Sequence, residues 1–149
     1  MNTLFMDEAF KEALKGYKKN EVPIGAVIVK NNKIIARAHN MKEHDNCCIS
    51  HAEILAIKKA SATMNNWRLC GCDIYITLDP CPMCASAIKQ ARIDNVYSAN
   101  SNSDINNYGI INSIFETDNI NPKVNFISNL DKTKSQKMLN NFFNEQRNL

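Results

Sequence analysis

Apolar residues recur at helical spacing through Leu4, Phe10, Ala13, Leu14 and Tyr17, so the chain opens with an amphipathic helix that ends near KKNEVP. The pattern then changes. IGAVIVK and KIIARA are β-rich runs joined by Asn31 and Asn32, residues that tolerate the positive φ of a tight turn, and they predict a hairpin. Beyond it helix and strand alternate: a helix from about His51 to Ala62, the strand DIYITL, a helix from about Pro82 to Ala91, and the strand DNVYSA. The stretch from Asn100 to Pro122, rich in Asn and Ser, predicts loops around a short helix. VNFI supplies a last strand, and Met138, Leu139, Phe142 and Phe143 form one apolar stripe on a closing helix. Alternation of this kind predicts an α/β fold. No repeat or linker interrupts it, and 149 residues is the length of one domain, residues 1–149, with a proper core.

Composition narrows the setting more than the chemistry. With 44% hydrophobic and 22% charged residues the chain is ordinary for a soluble globular protein. A net charge of +3 permits an RNA partner without arguing for one, because nucleic-acid binding is signalled by clustered basic residues. The opening MNTLFMDEAFKEAL places acids where a signal peptide needs an unbroken apolar run, and no stretch is long and apolar enough to span a bilayer, which predicts a cytoplasmic protein. In that reducing compartment six cysteines read as thiols or metal ligands, not as a disulfide framework.

Two clusters then stand out. NCCISHAEI, residues 46 to 54, packs Cys47, Cys48, His51 and Glu53 together, and DPCPMC carries Cys81 and Cys84 into a helix start. Thiolates three residues apart at a helix N-terminus can grip one zinc ion, and the helix dipole favours their charged form. Joined by His51, they would make a Cys2His site with a fourth position open for water, and such a water can ionise near neutral pH. Glu53 would then carry protons beside the metal. The residues also allow duller arrangements. Ser50 to Glu53 is a capping box, in which Glu53 bonds back to the backbone of Ser50. CPMC fits a redox pair or buried thiols, and Cys48, His51, Cys81 and Cys84 together would close a structural zinc site.

The joint occurrence of His-Ala-Glu and Pro-Cys-Pro-Met-Cys matches the signature of zinc nucleobase deaminases and favours the catalytic arrangement. The wider sequence resembles the bacterial tRNA-specific adenosine deaminases of the cytidine deaminase-like superfamily. The likeness runs through EVPIGAVIV, His39-Asn40, HAEILAI, NWRL, ITLDPCPMC, the Ala87-to-Arg92 stretch and the terminal FF. It implies a three-layer α/β/α fold around a central mixed sheet of about five strands, a homodimer, and one zinc per chain held by His51, Cys81 and Cys84. It implies Glu53 as proton shuttle in hydrolytic deamination of the wobble adenosine of a tRNA anticodon loop to inosine, with Asn40 against the base. An adenosine in a folded loop must be splayed out to reach such a site, so contacts to its neighbours are needed. Lys134, Lys137 and Arg147 are candidates for phosphates and Phe142 or Phe143 for stacking, with core packing expected to claim at least one of the two.

The chain departs from the family's usual pattern in three places. NCCIS stands where Asp-Pro-Thr-Ala usually precedes HAE, Asp79 stands where Glu is usual, and SDINNYGIIN, with Asn106 and Tyr108, replaces a stretch that usually carries a Lys. Losing a cation from an RNA-facing loop bears on affinity and substrate identity. The nearest rival is therefore a deaminase of a free base or nucleoside such as guanine, whose loop Asp104 and Gly109 also fit; a zinc-stapled binding module is the rival of a different class.

Overall fold

The computed structural model describes residues 2–101, 107–117 and 122–149. Helix α1 (Thr3–Lys18) is capped by Asn2, whose side-chain oxygen accepts the Leu4 N–H at 3.0 Å. Its buried face is Met6, Ala9, Phe10 and Ala13, while Leu4 and Leu14, part of the predicted stripe, are exposed. The stripe is thus rotated toward the smaller residues. Strands β1 (Gly25–Lys30) and β2 (Lys33–His39) form the predicted hairpin, with Asn31 and Asn32 at φ 50° and 62° in its turn. There follow α2 (Ala52–Met64), β3 (Cys72–Ile76), α3 (Pro82–Gln90), β4 (Asn95–Ser98), α4 (Asn107–Glu116), β5 (Asn125–Ile127) and α5 (Lys132–Arg147). The segment read as loops around a short helix contains α4, which buries Ile111 and Phe115. Asp104 and Asn106 lie outside the described residues, as does the side chain of Tyr108.

The five strands form one sheet in the order β2-β1-β3-β4-β5, antiparallel on the hairpin side and parallel where α3 and α4 make the crossovers. Side chains alternate between its faces with the period of two that strands impose. Ala26, Ile28, Ile74, Ile76 and Val96 pack with Ala52, Ala56 and Ala60 of α2, Ala85 and Ile88 of α3, and Ile111 and Phe115 of α4. Val27, Val29, Tyr75 and Tyr97 pack with Met6, Ala9 and Phe10 of α1, and Met138 of α5 leans on that cluster. The result is the expected three-layer α/β/α sandwich. Because both faces are covered, β1 and β3 read as almost continuous apolar runs.

Two local features set where the site lies. Helix α1 packs on β1 so closely that a Cβ at Gly25 would stand 2.0 Å from the Ala9 carbonyl oxygen, which only glycine allows. Thr77, just past β3, accepts the Gly25 N–H on its Oγ1 at 3.1 Å and the Ser135 hydroxyl on its carbonyl at 2.6 Å. That second bond anchors α5 beside the carboxyl end of β3. In a parallel sheet this end is where ligands bind.

Candidate active site

The site is built where α2 and α3 begin. His51 is the N-cap of α2 and Cys81 the N-cap of α3, and neither side chain caps its own helix. Both are turned instead toward a common point. His51 Nδ1 lies 3.7 Å from Cys81 Sγ and 3.5 Å from Cys84 Sγ, and the three donor atoms are all within 4.8 Å of one another. A tetrahedral zinc with a nitrogen at about 2.0 Å and sulfurs at about 2.3 Å holds its nitrogen and sulfur ligands about 3.5 Å apart. The donors present therefore fit zinc in both type and spacing. Cys84 is fully buried, and helix starts offer the positive field that favours thiolates.

The protonation of the pair is consistent with that use. A hydrogen bond from the Cys84 thiol, with backbone N–H groups of Cys84 and Met83 and the neighbouring His51, holds Cys81 down to about 5, against burial that acts the other way. Cys84 is pushed up by its hydrogen bond to Cys81, by burial and by the nearby Glu53 charge. Of the two thiols, Cys81 gives up its proton the more readily and Cys84 holds its own. A bound dication displaces such a proton.

Glu53 decides between the arrangements left open by the sequence. In a capping box its carboxylate would reach the backbone of Ser50, but the helix begins one residue later than that motif requires, at His51. Ser50 donates its hydroxyl to Asp45 Oδ2 at 2.9 Å instead. Glu53 is 4% exposed and accepts a hydrogen bond from Cys84 Sγ at 3.4 Å, inside the site. Burial drives its carboxyl above the ordinary range, offset in part by its own backbone N–H and the Cys84 thiol. A carboxyl raised in this way suits a group that must take up and release a proton. Cys48, required by the closed structural site, is exposed, and among the described residues the cluster of potential ligands is His51, Cys81 and Cys84.

A cavity of about 220 Å³ opens on this cluster, lined by His51, Glu53, Cys81, Asn40, Lys42 and Asp79 among others. Asn40 lines this cavity, and its carboxamide braces the loop: Nδ2 donates to the Val22 carbonyl at 3.4 Å and Oδ1 accepts the Lys42 N–H at 3.2 Å. Phe143 does not line this cavity. It stands, 43% exposed, in a second groove of about 450 Å³ that meets the first at Val22 and Leu78. Phe142 is the core member of the pair, edge-on to Tyr17 at 5.6 Å. Arg147 lines the groove, whereas Lys134 lies over the Phe10 ring and 3.8 Å from Asp7, engaged within the chain.

Two residues escaped the sequence reading. Glu21, fully buried, accepts the backbone N–H groups of Glu43 and His44 at 3.0 and 2.8 Å and so ties down the loop that follows Asn40. A glutamate opening EVPIGAV beside a β-strand gave the only hint. Asn100, two residues past β4, is 6% exposed with its Oδ1 buried and without a partner among the described residues, a state that costs about 1–3 kcal/mol and that few native groups tolerate. Nothing in its sequence context marks it.

Comparison with known proteins agrees with this geometry. Residues 1–100 match the family described as the cytidine and deoxycytidylate deaminase zinc-binding region. The chain is 40% identical to the tRNA-specific adenosine deaminase of Bacillus subtilis (strain 168), over 97% of its own length and 89% of that protein. It superposes with TM-score 0.85, at 35% identity over 93% of this chain and 100% of the other, on a structure solved in a study of A-to-I editing by tRNA:A34 deaminases at the wobble position of transfer RNA. The guanine deaminase of Bacillus subtilis is 31% identical, with TM-score 0.66 over 100% of this chain and 96% of its own. A zinc-binding deaminase region that reaches from α1 past β4, and a likeness to a tRNA-specific adenosine deaminase over 97% of the chain, lead to one conclusion: the chain belongs to the tRNA-specific adenosine deaminase family, within the cytidine and deoxycytidylate deaminases.

Proposed function

We propose that the chain, as a single deaminase domain of residues 1–149, converts adenosine to inosine at the wobble position of tRNA, using one zinc held by His51, Cys81 and Cys84. The observation that carries this reading is the inward-facing Glu53, buried against Cys84 and out of the capping-box position. Zinc, when bound, supplies activation of a water for attack on the purine C6. The remaining work falls to the chain. Glu53 takes one proton from the attacking water and passes it to the ring nitrogen N1, then carries the proton of the new C6 hydroxyl to the amine, which leaves as ammonia while C6 becomes the carbonyl of inosine. Asn40 presents a carboxamide on the same cavity, where its remaining donor and acceptor positions can meet a purine edge. Burial of Glu53 and Cys84 keeps bulk water from competing for these bonds.

The RNA reading is supported by the groove along α5 that adjoins the cavity at Val22 and Leu78, where Phe143 offers a ring for stacking and Arg147 a cation. A free base would need only the smaller cavity. The family resemblance carries with it a homodimer and a cytoplasmic place of action; among the described residues no helix is long and apolar enough to cross a membrane. Light scattering on the purified protein tests the dimer. The substrate is tested by incubating zinc-loaded protein with an anticodon stem-loop RNA and, separately, with guanine, adenosine and cytidine, following ammonia release. Activity on the stem-loop with little on free adenosine is expected. The specific rival is guanine, given the 31% identical guanine deaminase, and turnover of guanine with none of the stem-loop would replace the proposal by that one.

A further inference from the structure

We propose that Asn100 is a specificity-determining residue, whose side-chain oxygen accepts a hydrogen bond from the base of a nucleotide flanking the target adenosine. The proposal rests on the RNA reading above and deepens it. The groove next to the catalytic cavity is lined by four carboxamides, Asn100, Gln136, Asn140 and Asn144, together with Phe143 and a single cation, Arg147. A groove meant for phosphates alone would be built from Lys and Arg, whose charges neutralise the backbone. Carboxamides carry a donor pair and an acceptor in one plane, the complement of a base edge, and an aromatic ring beside them can stack the base they read.

Among these groups Asn100 is the one whose state asks for a ligand. Its backbone is fixed: the carbonyl accepts the Asp79 N–H at 2.7 Å and the Ser98 hydroxyl at 3.2 Å, tying it to the segment that leads into Cys81. The side chain, by contrast, has Oδ1 buried without a partner among the described residues, although the residue lines the groove. A carboxamide is not needed there to hold β4, since the backbone already makes the local bonds. An N–H donor entering the groove would satisfy the oxygen once the side chain turns toward it. Exocyclic amino groups and ring imino groups of nucleobases are such donors.

The consequence is discrimination among anticodon loops by a base that undergoes no chemistry. It is tested with zinc-loaded wild-type protein and Asn100→Ala on stem-loops in which the nucleotide on the 5′ or the 3′ side of the target adenosine is each of the four bases in turn. The stem-loops compete in one tube and inosine is counted by sequencing. For one of the two flanks, the ratio between the best and worst base should shrink at least about fivefold in the variant, the lower end of what a well-placed side-chain-to-base pair contributes. The ratio at the other flank should not change. Because each ratio is taken within one protein preparation, partial unfolding cannot imitate the effect, and Asn100→Ser repeats the measurement should the alanine variant prove insoluble. Deamination of all stem-loops with unchanged ratios at both flanks would overturn the assignment, leaving the oxygen to an ordered water. Turnover of guanine with none of any stem-loop would overturn the RNA reading and this proposal with it.

Discussion

The cavity between α2 and α3 and the groove along α5 touch at Val22 and Leu78, yet they are made in opposite ways. In the cavity the chemical groups come from two short motifs at two helix starts, and Cys84 and Glu53 are buried and tied to each other. In the groove the groups come from the end of β4 and from one face of α5, and Phe143 stands half exposed. The first arrangement fixes donors before any substrate arrives, as general acid–base chemistry and metal binding require. The second leaves carboxamides and a ring to be ordered by what binds. Changes in the cavity should therefore abolish turnover without regard to the RNA, and changes in the groove should alter which RNA is used and how salt affects it.

The largest effect belongs to the metal donors. Cys81→Ser should lose its zinc and all activity, whereas Cys48→Ser, in the exposed loop before His51, should keep both; elemental analysis of the purified variants decides. Equal loss in the two would return Cys48 to the metal. Next comes Glu53→Gln, which keeps shape and zinc but cannot carry a proton. Its turnover should fall by about 10² to 10⁴, with thermal stability close to wild type. A variant with full activity and lowered stability would make Glu53 a structural residue after all.

Effects in the groove should be smaller and selective. Phe143→Ala should weaken binding of a stem-loop by about 1–3 kcal/mol if the ring stacks a base, measured by fluorescence anisotropy, and should leave zinc content unchanged. The smallest change is that for Arg147→Ala, which should lower the dependence of affinity on salt by about one unit in the slope of log K against log salt. Lys134→Ala should leave that slope alone, because Lys134 is held by Phe10 and Asp7. Equal slope changes in both variants would show that the intrachain contacts of Lys134 yield to RNA.

The same contrast explains what could be read from the sequence. The hairpin turn at Asn31 and Asn32, the alternation of helix and strand, and the His51, Glu53, Cys81 and Cys84 set were legible because each depends on residues close in sequence or on a fixed spacing. Whether Glu53 takes the capping-box position was not legible, since SHAE allows it; a shift of one residue in the helix start, from Ser50 to His51, takes it out of that position in the fold. The buried face of α1 keeps Phe10 and Ala13 of the predicted stripe but not Leu4 and Leu14, for a related reason. Close approach of α1 to Gly25 favours Ala9 and Ala13 over the larger Leu4 and Leu14, and that approach is a tertiary fact. Glu21 and Asn100 act through partners distant in the chain or through the lack of one, and no local pattern reports either.

The central claim is that the cluster at the two helix starts holds zinc through three protein donors and no more, leaving room for chemistry beside Glu53. Zinc-edge X-ray absorption on the purified, zinc-loaded protein tests it most directly, because sulfur and lighter neighbours scatter differently and can be counted. Two sulfurs at about 2.3 Å and two lighter neighbours at about 2.0 Å, one of them imidazole nitrogen, is the expected result. Three sulfurs about the zinc, the sign that Cys48 has been drawn in to close the site, would contradict it.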